Sequence, residues 1–168
     1  HILALKPANL SFEAAAAAPL AAITAIQGLR DLGQIQPGQK VLINGASGGV
    51  GTFAIQIAKH YGAEVTAVCS TRNLDMAQKL GACHVIDYTK EDFTRSGRQY
   101  DLILAANGNL RIPAYRRAMT PEGMCVMTGG DPAQTFPVML LGPLMSKKDG
   151  QRFGVLTLKP NLKDLPLL

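Results

Sequence analysis

The apolar triplet Val41-Leu42-Ile43 runs directly into Asn44-Gly45-Ala46-Ser47-Gly48-Gly49-Val50-Gly51, and no other stretch restricts the fold of this chain as much. A short apolar run without polar alternation reads as a strand covered on both faces. Beyond the glycines, Val50, Phe53, Ala54, Ile57, Ala58 and Tyr61 recur at three- and four-residue spacing, so a helix is expected from about Gly49 to His60, ended by Gly62. The glycine spacing has a mechanical reading. A small residue, Ala46, turns the chain sharply off the strand. Gly48 lets the backbone approach a pyrophosphate without a side chain in the way, and Gly51 lets the helix press against the strand. The N–H groups of Gly49 and Val50 at the helix start would then hold phosphate with the help of the helix dipole. Ala46, Ser47, Gly48, Gly49 and Val50 are therefore the candidate pyrophosphate contacts. The competing reading is a turn that only packs helix on sheet.

Strands and helices then alternate with short connections. Val65–Cys69 reads as a second strand, Leu74, Ala77 and Leu80 mark a helix closed by Gly81, and His84-Val85-Ile86 reads as a third strand. Thr89 can cap a short helix through Asp92. Leu102-Ile103-Leu104 is a fourth strand, Ala114 and Ala118 sit on a helix, Met124–Met127 is a fifth strand and Arg152–Thr157 a sixth. Because right-handed crossovers deposit each helix on the sheet, this order predicts an α/β fold: a Rossmann doubly wound parallel sheet of about six strands, helices on both faces. Residues 1–168 form one dinucleotide-binding domain, of which 1–35 is a leading helical segment. There Ser11 caps an Ala-rich helix, and Pro19 opens the next turn. Ala22, Ile23, Ile26, Leu29 and Arg30 keep helical spacing until Gly33 stops it, and Gln36-Pro37-Gly38-Gln39 makes a tight turn. From Asp131 to Gly150, with three prolines, the chain reads as an irregular segment over the sheet.

At 47% hydrophobic and 17% charged residues, the chain can bury a core and is not disordered. Its longest apolar stretch, Ala14 to Ile26, is broken by Pro19 and Thr24 and reads as too short for a membrane span. No basic-then-apolar leader opens the chain, so a cytoplasmic location is expected. The three cysteines, Cys69, Cys83 and Cys125, lie far apart in strand-like segments and read as reduced core thiols. No Cys-x-x-Cys pair suggests zinc. A net charge of +5 permits an anionic partner, but the basic residues are scattered, and Arg116-Arg117 and Lys147-Lys148 read as solvated surface rather than a nucleic-acid patch.

The end of the second strand separates the two nicotinamide cofactors. NAD-binding domains usually carry an Asp or Glu there for the ribose hydroxyls. This chain has Cys69-Ser70-Thr71-Arg72, with no carboxylate before Asp75. Ser70 and Thr71 can donate to a 2′-phosphate and Arg72 can pair with it, which points to NADPH.

These segments, together with Lys6-Pro7-Ala8-Asn9 and Gly81-Ala82-Cys83-His84-Val85-Ile86-Asp87-Tyr88, closely resemble the quinone oxidoreductase branch of the medium-chain dehydrogenase/reductase superfamily. The resemblance implies a zinc-free enzyme that moves hydride from NADPH to a quinone or an enone. It also implies a separate GroES-like catalytic domain, absent from this chain, and a homodimer formed through the sheet edge. By position it assigns Thr24 to the nicotinamide side and Ser70, Arg72 and Tyr88 to the 2′-phosphate pocket. Thr128-Gly129-Gly130 and Leu156–Leu158 fall on segments bordering the nicotinamide. After the fourth strand the chain reads Ala105-Ala106-Asn107-Gly108-Asn109, where the family more often has an acid and then Val-Gly, so Asn107 takes the adenine-side position. From the residues alone, Thr24 could equally bond back to its own helix and Tyr88 could simply pack at a strand end. No catalytic acid or base is expected here, and His60 and His84 read as surface or packing residues. Two alternatives remain open: an enoyl thioester reductase module, and a non-catalytic Rossmann protein binding nucleotide or RNA.

Overall fold

Strand β1 (Lys40–Asn44) is buried from its second residue onward, as its unbroken apolar run requires. The computed structural model describes residues 5–106, 110–129, 138–139, 150–159 and 164. From β1 the chain crosses through α2 (Gly49–His60) to β2 (Glu64–Cys69), then through α3 (Leu74–Leu80) to β3 (His84–Asp87). It returns as β4 (Tyr100–Ala105), α4 (Ile112–Arg117), β5 (Met119–Met127) and β6 (Arg152–Val155). The six strands lie in the order β3-β2-β1-β4-β5-β6, with every neighbouring pair parallel. This is the Rossmann-like doubly wound sheet expected from the alternation.

The strand side chains divide the core in two. Val41, Ile43, Val65, Leu102, Leu104 and Val126 pack with Ala25 and Leu29 of the leading helix and with Ala54, Ile55 and Ala58 of α2. Leu42, Val68, Ile86, Ile103 and Cys125 point the other way, onto Tyr115 of α4, Phe93 and Phe153. Each fully buried Leu or Ile contributes roughly 1.5–3 kcal/mol by leaving water.

The leading segment departs from the expected division. Ser11 does cap, accepting from Ala14 N–H at 3.2 Å, but α1 runs unbroken over Phe12–Ile26 with Pro19 inside it. Proline removes the donor for the Ala15 carbonyl. That half of α1 faces solvent, so water can take the donor's place. The helix continues as a π-turn over Gln27–Leu32, where Gly33 N–H reaches the Gly28 carbonyl at 2.9 Å. Gly33 stops it by fit: a Cβ there would lie 2.8 Å from the carbonyls of Gly28 and Leu29. Together, Phe12–Leu32 is 21 residues with mean hydropathy 1.3, long and apolar enough to cross a membrane by length and composition. It is therefore less interrupted than its sequence suggests. Its second half, Ala22–Leu29, is buried in the core.

Three further expectations are corrected. Thr89 does not start a helix. It bonds to Asp87, and the next short turn, Phe93–Arg95, is capped by Asp92 through Thr94 N–H. Strand β6 ends at Val155, two residues short of Thr157. Cys83 is exposed because it precedes β3 rather than lying in it, whereas Cys69 and Cys125 are buried free thiols. Apart from Val138, Met139 and Gly150, the segment from Asp131 to Gly150 lies outside the described residues.

Candidate dinucleotide-binding site

The strand order reverses between β1 and β4, and in sheets of this kind the carboxyl ends of the strands open a crevice at that point. A cleft of about 650 Å³ lies there. Its floor is Asn44 and Gly45 at the end of β1, with Val68 and Cys69 from β2 and Ala106 after β4; Ser47 to Gly51 and Tyr88 also line it. Asn44 is buried, and its side-chain amide donates to the Tyr115 hydroxyl at 3.0 Å, which anchors the floor to α4. Burial raises the pKa of the Tyr115 phenol, so it stays protonated.

The turn itself is built differently from its sequence reading. Gly45, with φ +85°, is the residue that swings the chain off β1. Ala46 is fully buried and its N–H donates to the Val68 carbonyl at 3.0 Å, so it lies beneath the loop and does not line the cleft. Gly51 carries the close approach: a Cβ on it would fall 2.3 Å from the Gly45 carbonyl oxygen and 2.6 Å from Ala46 Cα. At Gly48 the nearest atom to such a Cβ is the Gly45 carbonyl oxygen at 3.5 Å, an ordinary contact. Packing therefore does not demand glycine at 48, and a side chain there would fill the cradle. The Gly48 carbonyl accepts the first intrahelical bond, from Thr52 N–H at 2.9 Å. Helix geometry leaves Gly49, Val50 and Gly51 N–H without intrahelical acceptors, and no acid lies in the first turn of α2. These residues fit a pyrophosphate.

Directly after Cys69, the last β2 residue in the cleft lining, Ser70 leads into a tight turn over Thr71–Asn73; Ser70, Thr71 and Arg72 themselves do not line the cleft. Ser70 Oγ accepts from the Asn73 amide at 3.0 Å, leaving its own proton to donate, and Arg72 is exposed. Thr71 is not free as expected. Its hydroxyl donates to Asp87 Oδ2, which sits beside Cys69 in the β2–β3 register. Asp87 also accepts from Thr89 N–H at 3.0 Å and Thr89 Oγ1 at 2.7 Å. The Thr71 hydrogen bond, then those from Thr89, bring its pKa down to about 2. This carboxylate is not legible along β2, because the sheet brings it in from β3. The parallel neighbour relation of β2 and β3 was the signal that would have found it. Tyr88 is 63% exposed, lines the cleft, and donates its backbone N–H to the Cys69 carbonyl at 3.2 Å.

Thr24 is buried, and its hydroxyl donates to the Leu20 carbonyl at 2.7 Å, the local bond its position allows. One turn on, Gly28 abuts Leu104 and Thr128, where a Cβ would lie 2.9 and 3.4 Å from their side chains. The Thr24 face of α1 therefore approaches the ends of β4 and β5. There Thr128 N–H meets the Ala105 carbonyl at 3.2 Å, and exposed Gly129 follows. Half-buried Leu156 donates its N–H to the Met127 carbonyl at 2.8 Å. Asn107 and Gly130 lie outside the described residues. His60 and His84 do not line the cleft. His84 pairs with Glu64 at 3.2 Å where β2 and β3 begin, and His60 stacks edge-on with Tyr61 at the end of α2. Among the described residues, no group of three or more His, Cys, Asp or Glu could hold a metal.

Residues 49–163 match the family model described as zinc-binding dehydrogenase. The chain is 39% identical over 150 residues to 2-methylene-furan-3-one reductase of Solanum lycopersicum, covering 87% of this chain and 38% of that protein. It is also 39% identical over 145 residues to the chloroplastic NADPH-dependent alkenal/one oxidoreductase of Arabidopsis thaliana, covering 77% and 37%. The solved quinone oxidoreductase from Coxiella burnetii superposes with a TM-score of 0.84 at 30% identity, covering 98% of this chain and 50% of that one. The chain thus spans half or less of the length of these relatives. Fold, glycine cradle and family match agree: this chain belongs to the medium-chain dehydrogenase/reductase family, as a cofactor-binding domain of its NAD(P)H oxidoreductases.

Proposed function

We propose that the chain is the cofactor-binding domain of an NADPH-dependent, zinc-independent reductase that delivers hydride to quinones or enones. The observation that carries the choice of NADPH is the turn after β2. An exposed guanidinium, Arg72, and the donor hydroxyl of Ser70 stand there, and the carboxylate beside the end of β2, Asp87, is already occupied by Thr71 and Thr89. The names of the Arabidopsis and tomato relatives support an enone-type acceptor, and that of the Coxiella structure supports a quinone.

When bound, the nicotinamide ring supplies the hydride from its C4. The chain's own residues orient and enclose it. Gly49 and Val50 N–H groups hold the pyrophosphate, and Asn44 keeps the floor fixed through Tyr115. Thr24, Gly129 and Leu156 border the nicotinamide side and exclude water. The proposal extends to a second copy paired along β6, an edge strand of the sheet among the described residues, and to a reducing cytosolic compartment that suits the buried thiols Cys69 and Cys125.

Replacing Arg72 tests this reading. R72A is expected to weaken NADPH about ten- to hundredfold, the worth of a charge-assisted hydrogen bond, and to leave NADH unchanged. Equal losses for both cofactors, or none, would overturn the assignment of the 2′-phosphate to this turn.

A further inference from the structure

Asp87 holds more than Thr71. The same oxygen, Oδ2, that accepts the Thr71 hydroxyl lies 3.5 Å from Lys90 Nζ. Two residues distant in sequence, one on the turn after β2 and one beyond β3, thus converge on a single atom. The Lys90 ammonium is thereby brought to the Thr71 hydroxyl, in the turn that Ser70 leads into and that contains Arg72. We propose that Lys90 is a second cation for the adenosine 2′-phosphate, held at the mouth of the pocket by Asp87 and acting with Arg72; this rests on the NADPH reading above.

The hydrogen-bond inventory favours this division of labour. An ionised carboxylate offers about four lone-pair sites. Those of Asp87 meet the Thr71 hydroxyl, the Thr89 N–H, the Thr89 hydroxyl and the Lys90 ammonium. Nothing is left on it for a ribose hydroxyl. Lys90 is in the opposite position. It has three donors, one long contact to Asp87, and a side chain 67% exposed to solvent. A phosphate placed against the Ser70–Arg72 turn could take a second donor from it without breaking the Asp87 network.

The charge around this rim makes the same point. Glu91 and Asp92 also line the cleft, and Asp92 is already paired with Arg95 at 3.4 Å. A dianionic phosphate against this turn would meet the carboxylates of Asp87 and Glu91 as well as the guanidinium of Arg72. Lys90, with its ammonium 3.5 Å from the Asp87 carboxylate, offsets this repulsion.

Titration calorimetry with 2′,5′-ADP and 5′-AMP separates the possibilities, using the wild-type protein, K90M, K90R and R72A. The expected result is that K90M loses about five- to tenfold in affinity for 2′,5′-ADP, with 5′-AMP unchanged. K90R should recover most of the loss, and K90M should show a shallower decline of 2′,5′-ADP affinity with salt. Melting curves of K90M should overlay wild type because the side chain is exposed. If K90M binds 2′,5′-ADP as wild type does while R72A is impaired, Lys90 only neutralises Asp87; the proposal fails and the NADPH reading stands. If wild type binds 2′,5′-ADP no tighter than 5′-AMP, that reading fails and the proposal with it.

Discussion

Gly48 and Gly51 share a loop, yet they answer to different demands. At 51 the obstacle is backbone, 2.3 Å from where a Cβ would stand, and backbone can yield only by lifting α2 off β1. G51A is therefore expected to cost about 1–3 kcal/mol in denaturant unfolding. At 48 the space is open, so G48A should cost about 0.5 kcal/mol or less in stability while weakening dinucleotide binding in calorimetry. A second residue-scale test concerns Asp87. Its pKa falls from 3.8 to about 2 on folding, so its stabilising contribution is complete above pH 4 and disappears as pH drops toward 2. Denaturation curves at pH 7, 4 and 2 should show this acid limb in wild type and a flatter one in D87N. The sequence revealed Gly48 and Gly51 because strand, glycines and helix are contiguous. It did not reveal Asp87, whose partner Thr71 lies on another strand's turn and meets it only through the register of the sheet.

At the scale of elements, legibility followed the range of the deciding contact. The crossover units from β1 to β3 could be read because each strand is a continuous apolar run and α2 and α3 stop at the glycines that close them in sequence. Helix α1 was misdivided. Pro19 signals a start by its local chemistry, but its solvent-facing position lets the helix pass through. The π-turn was equally hidden. It depends on Gly28 and Gly33 pressing against Leu104 and Leu102, residues of another element. The same turn has a second duty. Gln27 clasps the strand-following segment in both directions, donating to the Lys159 carbonyl at 2.7 Å and accepting from Lys159 N–H at 3.1 Å. Its amide also donates to buried Asp164 at 2.9 Å, which pairs with Arg30 at the same distance. Q27A is expected to cost about 1–3 kcal/mol and to speed amide exchange at Lys159 first, because that N–H loses its acceptor.

For the whole molecule, the two core faces fix the sheet, and the sheet fixes where its order reverses. The cleft is a consequence of that topology, which delivers the glycine turn, Asn44 and Tyr88 to its lining and sets the Ser70–Arg72 turn directly after Cys69, the last β2 residue in it. The choice of cofactor is read from chemistry at the turn after β2, where Arg72, Lys90 and the donor hydroxyl of Ser70 stand and Asp87 is fully engaged. Titrating the protein with NADPH and with NADH under identical salt is the most direct test of the account. The prediction is saturable one-site binding with NADPH at least about tenfold tighter, in line with the worth of the Arg72 contact. Equal affinity for the two cofactors, or tighter binding of NADH, would contradict it.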